Sequence, residues 1–202
     1  MLIKIYPENP SQKQIRTVTE CLNDGGVIIF PTDTIYALGC NIFKPRAIDR
    51  VAQIKGIKKQ KANFSFICHD MSQLSDFVKP IGNDVFKMMK SSLPGAFTFI
   101  LNANNNVPKI FQSKKKTVGI RIPDNNVPRE IVRELGNPIL STSVHDDDEI
   151  IEYTTDPELI YEKYGKLVDI VIDAGYGDNV ASTIIDCTGS DILVVREGKG
   201  KL

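Results

Sequence analysis

Short apolar, β-branched runs alternate with stretches of helical periodicity along most of this 202-residue chain. Leu2–Ile5 reads as a strand. Ser11 opens a helix with Ile15, Val18 and Leu22 on one face. Gly25-Gly26 ends it, because glycine supplies the left-handed turn a helix C-terminus often needs. Val27–Phe30 is a buried strand, stopped by Pro31. Pro45 suits the first turn of a second helix, which carries Ile48, Val51 and Ile54 on one face. Phe64–Cys68 is a strand, followed by helices near Ser72–Val78 and Asn83–Ser91. Ala96–Leu101 and Val118–Ile122 are strands bracketing the polar loop Asn102–Lys116. Pro128–Leu135 is a short helix capped by Gly136, and Ile139–Thr142 is a strand running into the acidic turn Asp146–Glu149. Pro157–Tyr164 is helical, and Ile170–Asp173, Thr183–Asp186 and Ile192–Arg196 are closing strands. Nine strands and six helices with short connections predict a single α/β domain over residues 1–202, with one twisted mixed sheet and flanking helices.

Composition adds exclusions. The 42% hydrophobic and 25% charged fractions are those of an ordinary globular protein. A chain of this length buries roughly 70% of the surface its unfolded form exposes, so it needs no disulfide staple. Lys and Arg number 25 against 25 Asp and Glu, which excludes a polycation binding by bulk charge but leaves room for a local basic patch. Cys21, Cys40, Cys68 and Cys187 form no CxxC pair, and two lone histidines complete no zinc-ligand spacing. They read as free thiols in a reducing compartment. The opening MLIKIYPENP turns polar too quickly for a signal peptide, and no apolar run approaches the ~18 residues of a membrane span. The expectation is a cytosolic protein with no membrane partner and no protein-held metal.

Four places carry candidate chemistry. Thr32, Asp33 and Thr34 follow the strand Val27–Phe30, and ligands of α/β sheets gather where strands end. The same residues also suit a proline-started turn that satisfies its own backbone. Between Lys55 and Asn63, Lys55, Lys58, Lys59 and Lys61 make a concentrated positive field that favours phosphate oxygens, or else a solvated loop. Lys114, Lys115 and Lys116 form a second cluster, read as solvated. Ser141, Thr142 and Ser143 end a strand with three hydroxyls that can accept from an ammonium or donate to phosphate. Arg121 lies within an alternating apolar strand, where burial unpaired is costly. It therefore faces solvent, binds an anion, or pairs internally with Asp33. Ser182, Thr183 and Arg196 complete the set. His69 and His145 read as surface or turn histidines, and no Walker loop, GxGxxG or catalytic triad is present.

Together these segments resemble the YrdC/YciO family of ATP-using, threonine-binding proteins. The resemblance is carried by Gly25–Cys40, Pro94–Leu101, Val118–Asp124, Leu140–Ser143, Ser182–Asp186 and Val194–Gly198, in the family's order and over nearly the whole chain. It implies a twisted α/β sheet around a concave, positively charged cavity. The implied activity is synthesis of threonylcarbamoyl-AMP from L-threonine, bicarbonate and ATP for tRNA modification. By resemblance Thr34, Arg121, Ser141 and Ser182 meet threonine. Lys55, Lys61, Asn63, Ser143 and Arg196 meet the nucleotide, with Lys55, Arg121 and Ser143 nearest the reacting atoms. A carbamate oxygen must lie in line with the α-phosphorus, with cations stabilising the charge there. Magnesium would arrive with ATP.

Two positions depart from the synthase pattern and match the YciO branch. Ile57 stands where a Lys-x-Arg would place arginine, and His145 where a Ser-x-Asn would place asparagine. Losing one such contact costs about 3 kcal/mol, or a hundredfold in rate. Two alternatives stay open. One is a double-stranded-RNA, tRNA or ribosome-binding translation factor using the lysines at 55–61 and 114–116, with salt-dependent affinity. The other is a hydrolase of an adenylate or carbamoyl-nucleoside with His145 as base.

Overall fold

The computed structural model describes residues 1–57, 64–109, 116–144 and 152–202. Its strands are β1 (Leu2–Lys4), β2 (Val27–Phe30), β3 (Ala37–Asn41), β4 (Ser65–Ile67), β5 (Phe97–Asn102), β6 (Thr117–Arg121), β7 (Ile139–Ser143), β8 (Ile170–Asp173), β9 (Thr183–Asp186) and β10 (Leu193–Arg196). Its helices are α1 (Gln12–Asn23), α2 (Pro45–Ile54), α3 (Met71–Ser75), α4 (Asn83–Ser92), α5 (Asn126–Leu135), α6 (Glu152–Thr155) and α7 (Pro157–Tyr164).

Local chemistry sets the boundaries. Pro45 opens α2, and the side chains of Asp70, Asn125 and Asp156 accept backbone N–H bonds at the starts of α3, α5 and α7. Gly136, at φ +77°, closes α5 in the left-handed conformation that glycine adopts without a Cβ clash.

All ten strands join one mixed sheet in the order β1-β8-β2-β3-β7-β4-β6-β5-β9-β10. The pairs β1/β8, β2/β8, β4/β6 and β5/β9 are parallel and the other five antiparallel. Three elements differ from the sequence reading. β3, between β2 and β7, was not expected: Ala, Gly and Asn are poor strand formers, and its five buried residues show no alternation. Instead of Ser72–Val78, α3 stops at Ser75, and Val78 bridges to Ala103. The short α6 was also unexpected.

Alternation along the strands divides the apolar residues between two cores. Val27, Ile29, Leu38, Phe66, Phe99, Ile120 and Leu140 face one core, closed by α2, α3, α4 and α7 through Ile48, Val51, Leu74, Met89 and Ile160. Ile28, Phe30, Ile67, Ile139, Ile170 and Ile172 face the other, covered by α1 (Ile15, Val18, Leu22) and α5 (Val127, Ile131, Val132). α1 and α5 cover only part of that second face. Two residues from Ile139 comes Ser141, and two from Ile67 comes Ser65, on the same face but lining an open cavity.

Candidate functional site

The uncovered face forms a cavity of about 420 Å³. Its floor is Ser65 of β4, Ser141 and Ser143 of β7, Thr117, Gly119 and Arg121 of β6, and Thr98 and Ile100 of β5. The β2–β3 loop contributes Thr34 and Ile35 at one end, and Ser182, Ile184 and Arg196 close the other. Thr34, Arg121, Ser141, Ser143, Ser182 and Arg196 thus converge from five separate stretches of chain.

Of the three options open to Arg121 in the sequence, the structure shows the pairing with Asp33 and removes the solvent-facing one. Arg121 Nη2 donates to Asp33 Oδ1 at 2.5 Å, to Thr34 Oγ1 at 2.6 Å and to Thr32 Oγ1 at 3.3 Å. It does not face solvent: the Arg121 and Asp33 side chains are only 9% and 11% exposed. Thr32 Oγ1 accepts from the Thr34 N–H and bonds the Ile35 carbonyl, so the loop is pre-shaped around the guanidinium. Burial pushes Arg121 below its ordinary value; Asp33 opposes that shift and the nearby Arg196 adds to it. Two buried atoms of this pair, Asp33 Oδ2 and Arg121 Nε, have no hydrogen-bond partner among the described residues. Such orphans are rare in folded proteins.

At the opposite end, Arg196 donates to the Ser182 carbonyl at 3.1 and 2.7 Å and to Ser182 Oγ at 3.3 Å. Ser182 Oγ shares a 2.8 Å hydrogen bond with Thr98 Oγ1. An irregularity in the β9–β10 register between Val194 and Arg196 turns the arginine toward the cavity, as bulges commonly do. Among the described residues the cavity lining carries two guanidiniums and no carboxylate, while Asp33 pairs with Arg121. Lys55, just past α2, donates to the Ser143 carbonyl at 3.0 Å and so reaches the end of β7.

Ile57 is 38% exposed and does not line the cavity. Lys61, Asn63 and His145 lie outside the described residues, as do Lys58, Lys59, Lys114, Lys115 and Asp146–Glu149. His69 Nε2 sits 3.1 Å from Asp70 Oδ2, away from the cavity lining. Burial pushes the Cys40 thiol up to about 12, burial and nearby carboxylates push Cys21 and Cys187 up to about 11, and Cys68 rises further still. All four are free. Among the described residues no group of His, Cys, Asp and Glu could hold a metal ion, and no helix is long and apolar enough to cross a membrane. The sequence reading missed Ser65, Thr98 and Thr117, although Ser65/Ile67 and Thr98/Ile100 place a hydroxyl on the same face as a neighbouring apolar residue.

These features define an α/β protein with a cavity, lined in part by Arg121 and Arg196, on an uncovered sheet face. The chain belongs to the Sua5/YciO/YrdC family: the family model, described as telomere recombination, matches residues 20–198. YciO of Escherichia coli K12 is 40% identical over 198 residues, covering 97% of this chain and 94% of that protein. The crystal structure of E. coli YciO superimposes with a TM-score of 0.91, covering 100% of this chain and 97% of that one. A threonylcarbamoyl-AMP synthase of Coxiella burnetii is 27% identical over 184 residues, covering 90% and 96% of the two chains. Sua5 of P. abyssi, complexed with L-threonine, shares the fold at a TM-score of 0.86 and 23% identity, over 98% of this chain and 57% of that one.

Proposed function

We propose that this protein binds L-threonine and ATP in the cavity and joins them through bicarbonate as threonylcarbamoyl-AMP, releasing pyrophosphate. Threonine and bicarbonate first give the carbamate and water. A carbamate oxygen then bonds the α-phosphorus as the bond to pyrophosphate breaks. Among the relatives are proteins named threonylcarbamoyl-AMP synthase and a Sua5 structure holding L-threonine, which supports this reading. The single observation that carries it is Arg121, nine-tenths buried beside Thr34 with its Nε unpartnered among the described residues. A buried guanidinium with a free donor is complementary to a carboxylate or phosphoryl oxygen.

Thr34, Arg121, Ser141 and Ser182 take threonine. Lys55, Ser143 and Arg196, with Lys61 and Asn63, take the nucleotide; Lys55, Arg121 and Ser143 stand nearest the reacting atoms. Magnesium enters with ATP as part of the substrate. Ile57, set outside the cavity without a planar fork of donors, makes turnover slower than in synthases with Lys-x-Arg. Calorimetric titration with ATP and with L-threonine tests the reading, together with bicarbonate-dependent pyrophosphate release. Binding of both ligands is expected; binding of neither overturns it.

A further inference from the structure

Sharing Thr34 with the cavity, a second, open hollow of about 500 Å³ is lined by Thr32–Thr34, Asp178 and Lys199 among others. Lys199 Nζ donates to the main-chain oxygen of Asp33 at 2.7 Å and pairs with Asp178 Oδ2 at 2.8 Å. Asp178 in turn donates its own N–H to the Thr34 carbonyl at 3.1 Å. Its carboxylate accepts from the Asn179 and Val180 N–H groups at 2.7 and 3.0 Å, which fixes its orientation. Two consecutive carbonyls of the cavity loop are therefore held by the two residues of one ion pair, that of Asp33 by the Lys199 ammonium and that of Thr34 by the Asp178 main-chain N–H. The side chains of the same two residues meet Arg121 from inside.

The backbone that presents Lys199 is itself tightly seated. A Cβ on Gly198 would lie 2.2 Å from the Ala181 carbonyl, and one on Gly200 would lie 2.7 Å from the Phe97 ring. Neither position admits a side chain without moving main chain or ring. The Lys199 N–H donates to the Ala181 carbonyl at 2.8 Å, and the hydroxyl of Thr183 bonds both the Gly198 N–H and the Gly200 carbonyl. This segment follows Arg196 directly, so one rigid stretch joins the Ser182–Arg196 end of the cavity to the Asp33–Thr34 end.

We propose that Lys199 is a positioning residue for the amino-acid end of the cavity: its ammonium, clamped between the Asp33 carbonyl and Asp178, fixes the loop so that Thr34 and Arg121 keep their ligand-bonding geometry. The part concerning threonine rests on the function proposed above; the clamping of the loop does not. Lys199 does not itself line the cavity, and its ammonium acts on it through the loop. Ion pairs this exposed contribute little to global stability, so the effect falls on local geometry. A hydrogen bond from a charged donor is strong enough to shift a local equilibrium by about tenfold.

The test uses the full chain and three variants, Lys199→Met, Lys199→Ala and Asp178→Asn. Lys199→Met keeps most of the aliphatic stem and removes the charge, which guards against a folding defect. Backbone hydrogen exchange over residues 32–36 is measured without ligand, and L-threonine and ATP are titrated calorimetrically. Exchange about tenfold faster at the loop, threonine binding about tenfold weaker and ATP binding changed by less than about twofold are expected for each variant. Ethylammonium, which fits the space vacated in Lys199→Ala, should restore both loop protection and threonine affinity, a rescue that a merely structural role would not give. Unchanged loop exchange in all three variants overturns the proposal whatever the ligands do. Equal weakening of both ligands, or no rescue by ethylammonium, overturns it as well. If the unaltered protein binds neither ligand but its loop still loosens in the variants, the function proposed above falls and the clamp stands.

Discussion

The Asp33–Arg121 pair offers a perturbation whose size and direction follow from its burial. Asp33→Asn keeps the shape of the side chain but leaves the Arg121 guanidinium, 9% exposed, without its counter-charge. Arg121→Met does the converse and strands a carboxylate that is 11% exposed. Removing one member of a buried pair costs about 3–5 kcal/mol, because the remaining charge stays desolvated and uncompensated. A domain of this size holds about 5–15 kcal/mol in all, so either variant should lose a large share of its stability. At about 2–4 °C per kcal/mol, the melting temperature should fall by roughly 6–20 °C. The two variants part company when an anion is added. Arg121 lines the cavity, so sulfate can enter beside the orphaned guanidinium of Asp33→Asn and replace the lost carboxylate. An anion at a hundred times its dissociation constant returns about 2.7 kcal/mol. Sulfate should do no more for Arg121→Met than for the unaltered protein. Urea unfolding with and without sulfate measures each term. The reasoning is refuted if both variants lose less than about 1 kcal/mol, or if sulfate rescues both or neither.

Further outcomes follow from Ile57 and the buried thiols. Ile57→Arg, at a position 38% exposed, should change stability by less than about 0.5 kcal/mol. In a pyrophosphate-release assay it should raise turnover at least about tenfold if the missing planar fork limits the reaction. The buried thiols predict a specific alkaline limb. Burial lifts Cys40 from 9.0 to about 12, so the stability tied to its neutral form is complete below about pH 9 and is lost as pH rises toward 12. Urea midpoints between pH 7 and 10.5 should fall at the top of that range, and Cys40→Ser should flatten the fall. Native Cys40 and Cys68 should also react with a thiol reagent only as fast as the chain opens.

Much of the fold was legible because local rules and burial agreed. Val27–Phe30 is an unbroken apolar run, and it lies buried on both faces of the sheet. α1 and α5 end at Gly25-Gly26 and Gly136, where a left-handed residue is needed. β3 was not legible. Ala37–Asn41 has no strand-forming composition of its own; its hydrogen-bond partners on β2 and β7 decide its conformation. The cavity residues Thr34, Arg121, Ser141, Ser182 and Arg196 could be singled out as polar groups set in apolar strands or at their ends. Ser65, Thr98 and Thr117 passed as ordinary strand residues.

What the sequence determined by itself was the set of parts: the α/β alternation, the helix stops, the free thiols, and the family, whose motifs are short and ordered along the chain. Tertiary structure alone decided what those parts do to one another. Arg121 had three destinies open to it in the sequence, and only the approach of the β2–β3 loop to β6 chose Asp33 as its partner. Lys199 carries no local signal, since the carbonyl it holds lies 166 residues away. Charge neutrality of the whole chain likewise said nothing of a cavity lined by two guanidiniums. The physical reason is the same in each case. Helix periods, caps and glycine turns are local energies summed over a few residues. Ion pairing, desolvation and the emptiness of a sheet face depend on which distant segments the fold brings within a few ångströms.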